Sequence, residues 1–259
     1  VAASADDEED EPRKKKESGD KSLRAAFVMR MFSRNFAYND NKVGAQQGYQ
    51  APETKFSNLP LVPAPGIALE FFPTPFVGVF GSYNRAIVGS KDSGGSVYST
   101  SASQYTLGVK SHFDLGSIGV EPLISYGGQT YKVEDLPTAP GRLQVAGVDY
   151  KTLGVGGDVR FGLSEGGAVY VGGRYLRILS AGDILDSEKY FSGSAVGGEF
   201  GAGVIYPLSF AKGFDVSVGL DLRRIAFAFT PDTTAPRIAG GAVDQYIGLN
   251  LGIGYNIGL

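Results

Sequence analysis

The sequence predicts an all-β protein: an antiparallel up-and-down transmembrane β-barrel of about ten strands, with eight or twelve as alternatives, behind a disordered N-terminal tail. Apolar residues alternate with polar residues or glycine over long segments, the pattern of strands with two different faces. Glycine supplies 38 of the 259 residues, about twice its average share. The links between the segments are alternately short and long, as in membrane-spanning barrels.

Composition excludes several kinds of site. The chain has no cysteine, so it forms neither a disulfide framework nor a thiolate metal site. Its single histidine, His112, rules out a multi-histidine metal site within one chain. No run of 18 apolar residues is present, which argues against a membrane-spanning helix but not against a barrel. We therefore expect no cofactor and no metal.

Residues 1–21 form the predicted tail. They contain eight acids and five bases and no aromatic residue, so they cannot bury enough apolar surface to offset their ordering entropy. A solvated spacer is favoured over a partner-binding segment. The remaining residues have no net charge, unlike a nucleic-acid binder. Ala3-Ser4-Ala5 is like the end of a secretory signal peptide, and we expect a mature export product.

The predicted barrel domain is 22–259, and its strands are justified in order by alternation. In Leu23–Met31 every odd position is apolar, and Arg24 and Arg30 share the other face. The last segment alternates in the same way to Leu259. The second segment is the weakest, because prolines precede it and each removes a ladder hydrogen bond. The predicted segments are about 22–36, 66–73, 75–88, 97–115, 117–132, 143–163, 167–180, 193–206, 213–229 and 242–259.

Links after the odd-numbered segments are long and polar, and those after the even-numbered segments are short. The longest, Ala37–Pro65, is the predicted gate, lid or docking surface, since long loops often carry function. It contains three aromatic residues and four prolines: Tyr38, Tyr49, Phe56, Pro52, Pro60, Pro63 and Pro65. An even number of strands places both termini at the short-turn end.

Aromatic residues on the predicted outer face fall into two groups. One lies close to the short turns and the C-terminus and predicts an interfacial girdle: Phe71, Phe113, Phe161, Tyr206, Phe214 and Tyr255. A second group lies farther along the strands and predicts the opposite girdle: Tyr83, Tyr105, Tyr126 and Tyr175.

On these patterns, residues 22–259 resemble the small outer-membrane β-barrel proteins of Gram-negative bacteria. The last strand is similar to the C-terminal assembly signal of that class, although it ends in Leu259 where such proteins usually end in phenylalanine. The resemblance implies a location in the bacterial outer membrane, contact with its lipid, periplasmic termini and short turns, and loops on the outside.

The predicted inner face carries glycine, serine and charge, which makes a dry protein core there implausible. Small inward residues such as Gly248, Gly252 and Gly254 would make room for larger neighbours. Inward bases and acids are nearly equal in number, which favours a structural network over an ion-selective pathway, because a selective pore usually has a ring of one sign. The network comprises Arg24, Arg30, Arg34, Glu70, Lys110, Glu121, Asp158, Arg160, Arg174, Glu199, Asp215, Asp221, Arg223 and Asp244.

Catalysis is not expected. Membrane phospholipases and lipid A deacylases place a serine two residues after the catalytic histidine, where this chain has Asp114, while Ser111 points to the opposite face. His112 and Asp114 are similar to the acid–histidine pair of membrane aspartyl proteases, but Asp114 lies at a short turn. Gly154–Gly157 lacks the helix and the lysine of a phosphate-binding loop.

The leading hypothesis is a non-enzymatic outer-membrane anchor or interaction component of a membrane protein assembly, acting through its loops and tail with a protein partner in the envelope. The alternative is a narrow porin-like channel or carrier for small or hydrophobic solutes. A soluble all-β binding module is a third class, which predicts solubility without detergent.

Overall fold

The computed structural model describes residues 22–39, 55–57, 61–91, 97–133, 147–163, 166–185, 192–230 and 239–258. The predicted tail, 1–21, and most of the predicted long loops lie outside these ranges. Within them, strands are joined by short turns and by one 3-10 helix, Gly182–Leu185. A search of the same residues finds no helix with the length and apolarity that a membrane crossing requires.

Ten long antiparallel strands of the described residues form one closed sheet. Closure joins the first strand to the last through 18 register pairs, from Ser22↔Gly258 to Asn39↔Gly241. Two short strands, β2 beside β1 and β6 beside β7, complete the sheet. The strands are β1 (Ser22–Asn39), β2 (Lys55–Ser57), β3 (Val62–Phe72), β4 (Val77–Lys91), β5 (Val97–Ser111), β6 (Phe113–Leu115), β7 (Ile118–Val133), β8 (Val148–Gly162), β9 (Ala168–Ser180), β10 (Ser192–Pro207), β11 (Phe214–Thr230) and β12 (Gly241–Gly258). The predicted barrel and its ten strands are confirmed.

The predicted loop Ala37–Pro65 is wrong at both ends. Ala37–Asn39 belongs to β1 and Val62–Pro65 to β3, and Lys55–Ser57 forms β2, while the remainder of the loop lies outside the described residues. Tyr38 continues β1 because its ring is buried in the lumen. Pro63 and Pro65 are accommodated because this part of β3 pairs with β1 alone, and its pairing with β4 begins only at Gly66↔Asn84.

A continuous band of apolar side chains encircles the outer surface of the barrel. Side chains such as Leu107, Leu220 and Ile253 are 57–61% exposed, and successive residues on each strand alternate between this surface and the lumen. A continuous apolar band of this extent is incompatible with water and is the surface that a barrel presents to lipid. The strands therefore cross a membrane.

The half of the lumen toward the long loops is filled by protein, which corrects the expectation that a dry core was implausible. Aromatic and aliphatic side chains from most strands pack there into what we call the apolar plug. The reason lies in the inward positions of β1 and β11, which change from charged to aromatic along each strand. The plug includes Phe32, Phe36, Tyr38, Val62, Tyr131, Val148, Tyr150, Ile184, Ile225, Phe227, Phe229 and Tyr246.

Candidate functional site: the barrel lumen

Two ion pairs pass over β12 and link β1 to β11. Arg24 contacts Asp215 through two bonds, Nη2 to Oδ1 at 2.6 Å and Nε to Oδ2 at 2.9 Å. Six residues farther along both strands, Arg30 makes the same pair of bonds to Asp221, at 2.6 and 3.2 Å. Because these paired planar groups hold two strands that are not neighbours, they reinforce the seam where the barrel closes.

β12 contributes an asparagine and a glycine to each of these pairs. Asn256 and Asn250 each donate an amide hydrogen bond of 2.7 Å to the carboxylate of Asp215 and Asp221, respectively. The glycines keep the path over β12 open: a Cβ on Gly254 would lie 2.7 Å from Asp215 Oδ1, and one on Gly248 would lie 2.4 Å from Asp221 Oδ1. The expectation that inward glycines make room for larger neighbours is confirmed here.

A second group of charges lies near the short turns on β3, β5, β7 and β8. Glu121, whose side chain is 1% exposed, forms ion pairs with Lys110 Nζ and Arg160 Nε, each at 3.0 Å. Glu70 also contacts Lys110 and lies 3.6 Å from Arg160 Nη2. Two acids and two bases thus compensate each other within one cluster, as burial of charge requires.

His112 lies at the rim of this cluster, between β5 and β6. Its Nδ1 is 3.0 Å from Glu121 Oε1, and its Nε2 is 2.9 Å from Asp114 Oδ1. Both ring nitrogens are therefore engaged by carboxylates at the short-turn end of the barrel. The imidazole ties the turn to the lumen cluster.

Hydrogen bonds from two arginines cross the lumen between strands that are not neighbours. Arg30 on β1 donates from Nη1 to Gln104 Oε1 on β5 at 2.6 Å. Arg223 on β11 donates from Nη1 to Gln129 Oε1 on β7, also at 2.6 Å, and contacts Glu199 through Nη2. These bonds cross the lumen between strands that are three and four places apart in the ring of ten, so they restrain its cross-section.

One ion pair is enclosed by the apolar plug. Arg34 and Asp244 form two bonds, 2.8 and 2.9 Å long, and neither side chain has exposed surface. Asp244 Oδ2 also accepts from the hydroxyls of Tyr150 at 2.7 Å and Tyr246 at 3.1 Å. The guanidinium lies over the ring of Tyr131 at 4.3 Å. The charges are thus hydrogen-bonded and stacked in a dry environment.

Two adjoining cavities lie between the charged side chains of the lumen, with volumes of about 350 and 140 Å³. Asp158, Arg174, Ser82 and Phe80 line both of them. Arg174 lies over the Phe80 ring at 5.6 Å and only 3.7 Å from Glu199 Oε2. Among the described residues, no cation lies within ion-pair distance of Asp158. Among the described lumen charges, these two alone have no ion-pair contact shorter than 3.7 Å.

The structure places every predicted network residue on the inner face, and its pairs run across strands. Asp158/Arg160 and Asp221/Arg223 are same-face neighbours two residues apart, yet Arg160 contacts Glu121 and Arg223 contacts Glu199. Arg223 lies directly opposite Glu199 in the sheet register, where side chains are closest. Arg160 lies diagonally across from Glu121, whose direct register partner is the like-charged Asp158. Sequence reasoning missed the amide members of the network, Gln104, Gln129, Asn250 and Asn256, which carry no charge to reveal them.

Both aromatic groups lie on the outer face. Near the short turns, Phe113, Phe161, Tyr206, Phe214 and Tyr255 are 39–49% exposed, and the rings of Phe214 and Tyr255 are 4.8 Å apart. Phe71 is half-buried. In the second group, Tyr83, Tyr126 and Tyr175 are 42–58% exposed.

Within the part of the chain that the structure covers, no group of three potential metal ligands is found.

The solved structures to which this chain is similar share little of its sequence. No protein-family model matches the sequence, and neither does any curated protein. The outer membrane protease OmpT from Escherichia coli is 9% identical, covers 92% of this chain and 97% of its own, and gives a TM-score of 0.47. OprG from Pseudomonas aeruginosa is 10% identical, with coverage of 92% and 96% and a TM-score of 0.34. Ail of Yersinia pestis is 11% identical, with coverage of 92% and 99% and a TM-score of 0.32. By its closed sheet and apolar exterior, the chain has the fold of an outer-membrane β-barrel.

Proposed function

We propose that this protein is a non-conducting, non-enzymatic barrel of the Gram-negative outer membrane that acts as an envelope anchor and interaction component. The observation that carries the proposal is the apolar plug: within the described residues, it fills the lumen at the end of the long loops. Below it, the remaining space is divided by ion pairs and cross-lumen hydrogen bonds. A lumen built in this way is suited to rigidity.

The ends of the chain support the proposed orientation. Ser22 and Gly258 are register partners at the short-turn end of the barrel. Outer-membrane barrels keep their short turns in the periplasm and their longer loops outside. Residues 1–21 would then lie on the periplasmic side, where a protein partner in the envelope can be reached.

The surroundings of His112 support the absence of a hydrolytic site. A nucleophile needs a base within hydrogen-bond distance. Both nitrogens of His112 instead face carboxylate oxygens, of Glu121 and Asp114.

Planar-bilayer recording and co-purification test the proposal together. We expect purified protein to insert into bilayers without reproducible unitary conductance. We also expect it to co-purify in detergent with a defined envelope partner, and to lose that partner when residues 1–21 are deleted. Stable unitary steps, or a complex that is unaffected by the deletion and by trimming of the loops, would contradict it.

A narrow channel or carrier is the second candidate, favoured by the two adjoining cavities. Asp158 and Arg174 line both, and each is held more loosely than the other lumen charges. A path through this point would be sensitive to charge. If unitary steps are recorded, Asp158→Asn should change their ion selectivity, whereas substitution of the turn residue Asp114 should not.

A further inference from the structure

Among the described residues, five cations lie on the outer face of the barrel toward the long loops: Arg85, Lys132, Lys151, Arg177 and Arg224. We call them the basic band. Lys151 is half-buried and bonds Asp149 Oδ1 at 3.1 Å. The other four are exposed, and no acidic partner is found for them among the described residues. Of the acids in the described strands, Asp149 alone shares this outer face.

The register of the sheet brings three of these cations to one height. Arg177 pairs with Leu153, two residues from Lys151, and through Val196 it is in register with Ala226, two residues from Arg224. In a barrel with strands tilted by about 40°, a line of constant height shifts by about one residue at each strand. The displacement from Lys151 to Arg224 has that size. The direction agrees with the positions of the short turns. Val169 pairs with Phe161, one residue before β8 ends, and with Val204, three residues before β10 ends, so in register the short-turn end of β10 lies two residues beyond that of β8.

Two independent features place the edge of the hydrocarbon layer just below the basic band. The predicted second girdle lies on its inner side: Tyr175 precedes Arg177 by two residues, and Tyr126 pairs with Leu153. Tyrosine is enriched at the membrane–water interface. Pairing between β3 and β4 also stops at Asn84, the residue before Arg85, and unpaired backbone is not tolerated in hydrocarbon. The cations therefore lie at the level of the lipid headgroups.

We propose that the basic band binds the phosphate groups of a multiply phosphorylated lipid in the leaflet at the long-loop end. Arginine forms two parallel hydrogen bonds to phosphate, and a lipid headgroup delivers phosphates at the height where these side chains lie. The band faces sideways into the bilayer, so the ligand is a lipid and not a soluble anion. The inference rests on the proposed membrane location.

Lipid retention by the folded protein tests this site. The probe is diphosphorylated lipid A, with its monophosphorylated form for comparison, and bound copies are counted by native mass spectrometry from detergent. We expect wild-type protein to retain the diphosphorylated form preferentially, and Arg177→Gln with Arg224→Gln to weaken retention about tenfold or more. The matched control is Lys212→Gln, which removes an exposed cation at a short turn.

Folding of each variant is checked by the change in gel mobility on heating. Unchanged retention in the double variant, an equal loss in the Lys212 control, or no preference for the second phosphate would each overturn the proposal. A wild-type protein that is monodisperse without detergent would instead overturn the membrane location itself. The two failures are therefore distinguishable.

Discussion

At the scale of single residues, Gly248 and Gly254 decide whether the ion pairs at the closing seam can form. Each lies beneath a guanidinium–carboxylate pair that joins β1 to β11 over β12. A larger residue would displace atoms that belong to both members of the pair. The ion pairs at this seam therefore require that positions 248 and 254 of β12 carry no side chain.

We predict that Gly254→Val lowers the free energy of unfolding by about 1–3 kcal/mol, because the added atoms overfill the site and separate Arg24 from Asp215. Urea titration in phospholipid vesicles, followed by gel mobility, measures the change. Gly258→Val is the matched control, since a Cβ there meets no atom within 4 Å. Equal effects of the two substitutions would show that the ion pair is not what Gly254 protects.

The buried pair Arg34–Asp244 gives a second prediction at this scale. Arg34→Met leaves an enclosed carboxylate without its cation and should cost about 3–5 kcal/mol. Adding Asp244→Asn removes the stranded charge and keeps an acceptor for Tyr150 and Tyr246, so the double variant should be more stable than the single one. The same vesicle titration measures the free energy of unfolding of both single variants and of the double variant. If the effects of the two substitutions simply add, Arg34 and Asp244 do not stabilise each other.

Residue-level reasoning from sequence reached the inward charges but missed the residues that fill the lumen beside them. Alternation assigns a face to each side chain, which is why Arg24, Glu121 and Asp221 were placed inward. It does not say what lies opposite, across the barrel. The sequence does contain one signal of a filled lumen. Phe32 and Phe36 occupy inward positions of a strand whose other face is also apolar.

At the scale of elements, the seam between β3 and β4 is the short one. It has six register pairs, Gly66↔Asn84 to Phe71↔Val79, whereas the next seam, between β4 and β5, has 15. The prolines at 63 and 65 account for this, because each lacks a donor. The proline penalty predicts a strand that begins only at about residue 66, but pairing with β1 alone sustains β3 as far as Val62.

We predict that hydrogen exchange is fast at alternate amides of β4 beyond Asn84, those that face β3, and slow at residues 79–83. In an antiparallel strand, successive amides point to opposite neighbours. Pro63→Thr together with Pro65→Thr restores two donors and should slow exchange at these positions. Uniform protection along β4 in the wild-type protein would show that the seam is closed.

At the scale of the whole molecule, the lumen has two chemically different halves. Charged pairs and cavities occupy the half toward the short turns, and the apolar plug occupies the other. An apolar exterior around a charged interior is sufficient to specify a barrel, and this is the level at which sequence predicts best. Whether the barrel conducts depends on the plug, whose side chains come from strands far apart in the chain.

We therefore predict that opening the apolar plug makes the barrel permeable to small solutes. Phe36→Ala with Phe227→Ala removes two rings that lie 6.4 Å apart in the plug, and should allow solutes from the long-loop end to reach the 350 Å³ cavity. We expect vesicles containing this variant to swell in a small sugar, at a rate clearly above that of wild-type vesicles.

Phe200→Ala is the control, because its ring is 53% exposed on the outer face and does not border the plug. Both variants must show the heat-dependent mobility of a folded barrel. If the double variant swells no faster than the control, the plug is not the barrier, and the cross-lumen bonds of Arg30 and Arg223 close the path. If vesicles with the wild-type protein already swell, neither half of the lumen blocks solutes, and the channel is favoured over the anchor.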